Sequence, residues 1–335
     1  MVGGLGTRLR PLTDDLPKSL LPVAGAPIVL HQIARARNAG VDRIVLATSY
    51  RAELFAATVG DGSHLGVTVH YAVEDEPLGS GGAIRNAATL LVGSADDPVL
   101  VFNGDILDDH DVSAQVQQHS DTKADATLYL TKVSDARAFG CVPTDGTGRV
   151  TAFMEKMAEP ITNQINAGCY VFRRAVIDTI PTGRAVSVER ETFPELLTSG
   201  ATVQGFLDES YWRDLGTPES FVQGSVDAVR GLVDAPARPG PSGEFLVLDG
   251  SDVPPSSTLR AGTSIGAGCM IGPGAVVDGS VVLDGAAVGP RAIIRNSAVG
   301  RNARIGADAV LIGVVVGAGV EVSDGARPEP GTRLS

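Results

Sequence analysis

From the start of the chain to about residue 228, short apolar runs alternate with stretches whose apolar residues recur at helical spacing. Arg43 to Thr48 (RIVLAT) and Pro98 to Phe102 (PVLVF) have the pattern of parallel strands covered on both faces. Pro27 to Ala39 and Gly82 to Val92 lie between such runs and read as amphipathic helices. Alternation of this kind predicts a doubly wound, mostly parallel α/β sheet over residues 1–230. Such sheets bind ligands at the carboxyl ends of their strands, so Asn103-Gly104-Asp105, directly after PVLVF, stands where chemistry is expected.

Residues 231–243 (GLVDAPARPGPSG) read as a Pro/Gly-rich linker, and the pattern then changes. Ile265, Ile271, Val277 and Leu283 fall six apart; after a slip of one residue Val288 and Ile294 continue the series. Val299, Ile305, Leu311, Val316 and Val322 complete it, and Gly often follows the aliphatic residue. This period predicts a parallel β-helix of hexapeptide turns over residues 244–335, with the aliphatic chain inward and Gly relaxing the corner. The stackable ends of solenoids make a homo-oligomer the expected state.

Composition sharpens the picture in three places. Aromatics are only 4% while Gly reaches 41 and Pro 20, as tight turns with small side chains require. The net charge of −12 argues against a nucleic-acid partner, since a polyanion needs a basic surface. Cys141, Cys169 and Cys269 are too far apart for a zinc site or a disulfide framework and read as reduced, mostly buried thiols. Neither a signal segment nor an apolar stretch of 18 residues occurs, so a cytoplasmic protein with no membrane partner is expected.

The strongest local signal is Gly3-Gly4-Leu5-Gly6-Thr7-Arg8-Leu9 with Pro17-Lys18 a short loop later. Three glycines let backbone N–H groups approach phosphate oxygens, and Arg8 and Lys18 add a fork and a point charge suited to a triphosphate. No Gly-Lys-Ser/Thr follows, so this is not a Walker A loop, and the glycine spacing is not that of a dinucleotide fingerprint.

These segments, with Pro77-Leu78-Gly79-Ser80-Gly81-Gly82, Phe102-Asn103-Gly104-Asp105, Glu155-Lys156, Asn166-Ala167-Gly168 and Tyr211-Trp212-Arg213-Asp214-Leu215-Gly216, resemble the nucleoside-diphosphate-sugar pyrophosphorylase family, in family order. INAGCYVF, SVERETFP, YWRDLGTPESF and the hexapeptide tail are most similar to its mannose-1-phosphate guanylyltransferase subgroup. The resemblance implies a Rossmann-like nucleotidyltransferase domain followed by a left-handed β-helix. It implies attack of a sugar 1-phosphate on the α-phosphorus of a nucleoside triphosphate, with GTP and mannose 1-phosphate leading. UTP or dTTP with glucose 1-phosphate is the near alternative, and a non-catalytic sugar-nucleotide sensor the distant one. An acetyltransferase β-helix is excluded, because such sites use a His base and no His follows His119.

By the same resemblance Arg8 and Lys18 are the catalytic cations, and Asp105 and Asp214 hold Mg²⁺. Gly3, Gly4, Gly6, Thr7 and Gly79 cradle the nucleotide, while Gly104, Glu155, Lys156 and Asn166 take the sugar phosphate. The family usually has Pro after the lysine, and here Met157 stands there. Glu76 is the candidate for reading guanine, whose N1–H and N2 amino group a carboxylate can accept together. Family members carry an apolar strand before the Gly-rich loop, of which only Met1 and Val2 are present. A natural start about five to ten residues upstream, one strand length, is therefore expected.

Overall fold

A computed structural model describes residues 1–49 and 51–335. The chain divides into two compact units, one formed by Met1–Gly4 and Gln32–Trp212, the other by Leu5–His31 and Arg213–Ser335.

In the first unit the predicted apolar runs are strands with the predicted bounds, β1 (Arg43–Thr48) and, later in the chain, Pro98–Phe102. The unit's longer strands also include β2 (Thr68–Val73), β3 (Pro98–Phe102), β4 (Ala126–Lys132), β5 (Gln164–Arg173) and β6 (Val203–Leu207). β1 and β2 pair in parallel, as do β4 and β6, whereas β5 runs antiparallel to both β3 and β4. Val2 donates its N–H to Ala47 O of β1 (3.0 Å), and the Met1 amine donates to Phe102 O of β3 (2.7 Å). Residues 1 and 2 thus lie between these two strands. Of the expected helices, α1 (Ile28–Asn38) has nearly the expected bounds, while α2 (Gly79–Ala88) begins three residues and ends four residues earlier than expected; α3 (Val112–Thr122) is a further one. The core is built from Leu128 and Leu130 of β4, Tyr170 and Phe172 of β5, and Phe193, all fully buried. All three cysteines are buried free thiols.

The second unit contains α4 (Pro218–Arg230) and a parallel β-solenoid with three sheets. Its coil differs from the hexad expectation. Ile265 pairs with Val282, Val282 with Val299, and Val299 with Val316, a repeat of seventeen residues. Two sides take six residues and the third takes five, so Val282, rather than Leu283, is the inward residue. The three ladders bring Ile271, Val288, Ile305 and Val322, and likewise Val277, Ile294 and Leu311, into one buried apolar stack.

The glycines after the inward residues also have another reason than the one expected. A Cβ at Gly266 would stand 2.5 Å from Asp284 N, and one at Gly289 2.6 Å from Ala307 N. Neither lies in the left-handed region. Close approach of the next coil excludes a side chain there. Left-handed backbone falls two residues further on, where it is tolerated at Arg291, Asn302 and Asp308 as well as at glycine.

Candidate active site

In the first unit the candidate metal ligand Asp105 sits in a loop held from three sides. Asn103 N–H donates to Gly168 O (2.8 Å), Gly104 N–H donates to Met1 O (2.9 Å), and Gln32 of α1 donates to Asn103 O (2.6 Å) and Ile106 O (3.2 Å). One helical turn after Gln32, Arg35 pairs with the buried carboxylate of Asp108. His110 is bound to that carboxylate through Nδ1 (2.8 Å) and to Gln115 of α3 through Nε2 (2.9 Å), and it stacks on Tyr129. The Asp105 loop is therefore pinned at its far end by a buried polar network.

Burial alone pushes the Asp108 carboxyl up, but the His110 hydrogen bond and the Arg35 charge outweigh it and hold the group below the usual carboxylate range. A depressed folded value stabilises the fold above the unfolded value of about 3.9 and loses that contribution as pH falls through the folded value. The unfolding midpoint is expected to drop as pH falls below about 4. Asp108→Asn, which cannot titrate, should show a flatter acid limb by differential scanning calorimetry. An unchanged slope would assign the acid sensitivity elsewhere.

Gly168 is required where it stands, since it is left-handed (φ +86°) and a Cβ would meet Asn103 Nδ2 at 2.9 Å. Asn166, the candidate sugar ligand two residues earlier, closes the β-bulge of β5. Its Oδ1 accepts from Gly168 N–H (3.2 Å) and its Nδ2 donates to the buried Tyr170 hydroxyl (2.8 Å). Trp212 Nε1 donates to Ala167 O (2.9 Å), fixing the same bulge. Glu155 and Lys156 lie side by side with Nζ 3.7 Å from Oε1. Lys156 is left-handed (φ +51°), a conformation costly for a lysine and common where function imposes geometry.

The candidate nucleotide loop of this unit is anchored to Val186 and to the SVERETFP segment that follows it. Gly79 is left-handed (φ +69°), and a Cβ would lie 2.6 Å from Val186 O. Gly81 N–H donates to that carbonyl (2.8 Å), while Ser80 Oγ donates to Glu189 (2.7 Å). Glu76, the candidate base reader, is exposed. Glu74 is the carboxylate that holds the loop, accepting Leu78 N–H at 3.0 Å with its carboxyl pushed up by burial. The carbonyl of Gly3 is held by the Ser49 hydroxyl (2.8 Å), and Gly4 follows it as the last residue of this segment.

The second unit brings together Gly6, Thr7, Arg8, Lys18 and Asp214. Gly6 is left-handed (φ +62°) and leads into a 3₁₀ turn of Thr7–Leu9; Thr13 Oγ1 clamps it by donating to its carbonyl (2.8 Å). Lys18 opens a second 3₁₀ turn after Pro17. Arg8 Nη2 stands 3.8 Å from Asp214 Oδ2, with the arginine side chain 65% exposed and the aspartate 26%. Asp214 Oδ1 accepts Gly216 N–H at 2.6 Å. A Cβ at Gly216 would collide with the Arg8 guanidinium and stand 2.7 Å from Asp214 Oδ1. Next in the chain, Arg213 is tied to Asp227 of α4 (3.3 Å), whose other oxygen accepts from Gln223 (2.8 Å).

The residues to which sequence reading gives no role are the ones holding these loops: Gln32, Arg35, Asp108 and His110, and also Gly216, which stands in the Tyr211 to Gly216 motif without an assigned function. Gln32 and Arg35 look like the solvated face of α1, and only their spacing of one turn and the nearness of Asp108 to the Asn-Gly-Asp triplet signal a shared partner. Asp105 and Asp214 offer hard oxygen donors, the kind that suits a divalent cation retaining waters and phosphate oxygens. Among the described residues no group of three or more His, Cys, Asp or Glu forms an all-protein metal cage.

The nucleotidyl transferase family profile matches residues 1–230, and the GMPPB C-terminal domain profile matches residues 242–327. The mannose-1-phosphate guanylyltransferase of Mycobacterium tuberculosis is 52% identical over 266 residues, which is 79% of this chain and 73% of that protein. The mannose-1-phosphate guanyltransferase of Yarrowia lipolytica is 39% identical over 227 residues, 67% of this chain and 62% of that protein. The crystal structure of HddC from Yersinia pseudotuberculosis superposes with a TM-score of 0.57 at 28% identity, covering 67% of this chain and 95% of that one.

Proposed function

Since the chain belongs to the nucleotidyl transferase family, we propose that it transfers a guanylyl group from GTP to mannose 1-phosphate, releasing GDP-mannose and pyrophosphate. The long stretch of identity with the mycobacterial guanylyltransferase carries this reading. The chain aligns with 62–73% of the length of the two curated relatives above, and the substrates are drawn from their names.

The chemistry asks little of a general base, because the sugar phosphate that attacks the α-phosphorus is already an anion. Histidine placement agrees. His31 is buried against Val23 O (3.0 Å), with burial lowering its pKa, and burial lowers that of His119 too. Catalysis is then positioning and charge neutralisation. Arg8 and Lys18 neutralise the phosphates as pyrophosphate departs. Gly3, Gly4, Gly6 and Thr7 present backbone donors to the triphosphate, Gly79 lets the base pack against backbone, and Glu76 accepts from guanine. Gly104, Glu155, Lys156 and Asn166 receive the mannose phosphate. Asp105 and Asp214 would hold Mg²⁺, which when bound supplies Lewis-acid stabilisation of charge on the reacting phosphates.

A catalytic domain of 1–230, a linker of 231–243 and a left-handed solenoid of 244–335 that builds a cytoplasmic homo-oligomer complete the proposal. No helix among the described residues is long and apolar enough to cross a membrane. The reading is tested by incubation with GTP, mannose 1-phosphate and Mg²⁺, which must yield GDP-mannose and pyrophosphate in equal amounts.

A further inference from the structure

We propose that the solenoid is a brace for the phosphate loop, with Arg333 and Arg301 acting as positioning residues for Arg8. All the groups concerned lie in the second unit. Arg333, in the final strand, donates through Nη1 to the backbone carbonyls of Arg8 (2.8 Å) and Arg10 (3.1 Å). Arg301 Nη2 reaches Asp15 Oδ2 at 2.8 Å. Between these anchors a Cβ at Gly317 would lie 3.1 Å from the ring of Pro11, so the coil backbone and the loop are in direct contact.

The other end of the loop is held by the first coils. Ala24 N–H donates to Ser225 Oγ of α4 (3.0 Å), which lies 3.4 Å from Ser264 Oγ of the solenoid. A Cβ at Gly25 would touch methyl groups of Leu246 and Leu248 at 3.0 Å. Residues 8–15 are therefore held against the last coils of the solenoid and residues 24–25 against α4 and the first coils.

The Arg301–Asp15 pair is too exposed (42% and 36%) to matter much for stability. Its value, like that of Arg333, is geometric. Arg8 is an exposed side chain on a 3₁₀ turn whose ion-pair contact among the described residues is to Asp214, and a fixed backbone is what can aim it. The guanidinium of Arg333 is a rigid fork whose donors cross-link two carbonyls on either side of Leu9, which a flexible lysine ammonium reproduces in part. The inference rests on the nucleotidyl-transfer reading, in which Arg8 neutralises phosphate charge, and it gives the solenoid a task in every turnover.

The experiment compares the full-length protein with Arg333→Ala, Arg333→Lys, Arg301→Ala, Asp15→Ala and the Arg301/Asp15 double variant. Arg333→Ala should lower kcat by about tenfold, the scale of a modest displacement of a catalytic group. KM for the sugar phosphate should stay within about twofold, and Tm within about 2 °C. Arg333→Lys should recover part of the loss, and the double variant should match either single one. Amide hydrogen exchange of residues 8–16 should speed up in Arg333→Ala while β1 to β6 keep their protection. A kcat within twofold of the parent, or a loss of activity tracking a fall in Tm and general loss of protection, overturns the brace. The exchange arm needs no substrate, so a parent protein without nucleotidyl transfer condemns the functional reading while that arm still judges the brace.

Discussion

Asp214→Asn is expected to lower kcat by about 10²-fold or more with the fold intact, and Asp105→Asn to do the same. Asp214 keeps one oxygen on the Gly216 N–H (2.6 Å) and turns the other toward Arg8 (3.8 Å), so the side chain is already aimed before any substrate arrives. An asparagine can keep the first contact through its carbonyl oxygen but loses the charge that pairs with Arg8 and that, on the proposed reading, would hold a divalent cation. The substitution is close to isosteric, and Asp214 lies outside the buried cores, so folding should be unaffected and the loss should appear in kinetics. Titration with Mg²⁺ should show a weakened apparent metal affinity in both variants, with saturation restoring only part of the rate. Full activity of the parent in EDTA would remove the metal role from both aspartates.

Gly216→Ala is expected to act as a remote loss of Arg8. The new methyl group would occupy the space of the Arg8 guanidinium and press on Asp214 Oδ1, at 2.7 Å in the present geometry. Both atoms are side-chain tips, and Gly216 is not left-handed, so the backbone can accept alanine. The side chains move instead. A fall in kcat of about 10- to 100-fold is predicted, because a catalytic group displaced by roughly 1 Å loses that much. Arg8→Ala in the Gly216→Ala background should then add little, and the cycle of kcat/KM values reads this coupling directly. Additive losses would show that Gly216 acts elsewhere. Gly79 makes the contrast: there the clash is with the Val186 backbone carbonyl at φ +69°, and alanine should disturb folding.

Strands β1 and β3 were legible with their bounds because continuous apolar runs flanked by breakers permit few other readings. The solenoid was legible from its aliphatic period, but the hexad rule placed Leu283 inward where Val282 stands. Both are apolar and buried, so only the register of the neighbouring coil decides between them. The glycines of the coil were identifiable, yet their cause, a backbone 2.5 Å from an added Cβ at Gly266 and 2.6 Å at Gly289, is a relation between coils seventeen residues apart that no local spacing encodes.

The candidate site shows the same division. Motif residues with charges or glycines stand out along the chain, whereas their supports do not. Arg35, Asp108, His110 and Gln115 form a buried network from two helices and a strand end, and each reads singly as a surface residue. Arg333 lies more than three hundred residues from the loop whose carbonyls it holds.

The central claim, guanylyl transfer to mannose 1-phosphate, is tested most directly by one matrix of initial rates. GTP, ATP, UTP and dTTP are each paired with mannose 1-phosphate and glucose 1-phosphate at saturating Mg²⁺, with pyrophosphate release as the readout. The account predicts the highest kcat/KM for GTP with mannose 1-phosphate. It should exceed that for dTTP by about tenfold or more, the discrimination that one bidentate carboxylate–base contact provides. A higher kcat/KM for dTTP or UTP with glucose 1-phosphate, or no pyrophosphate from any pair, would contradict it.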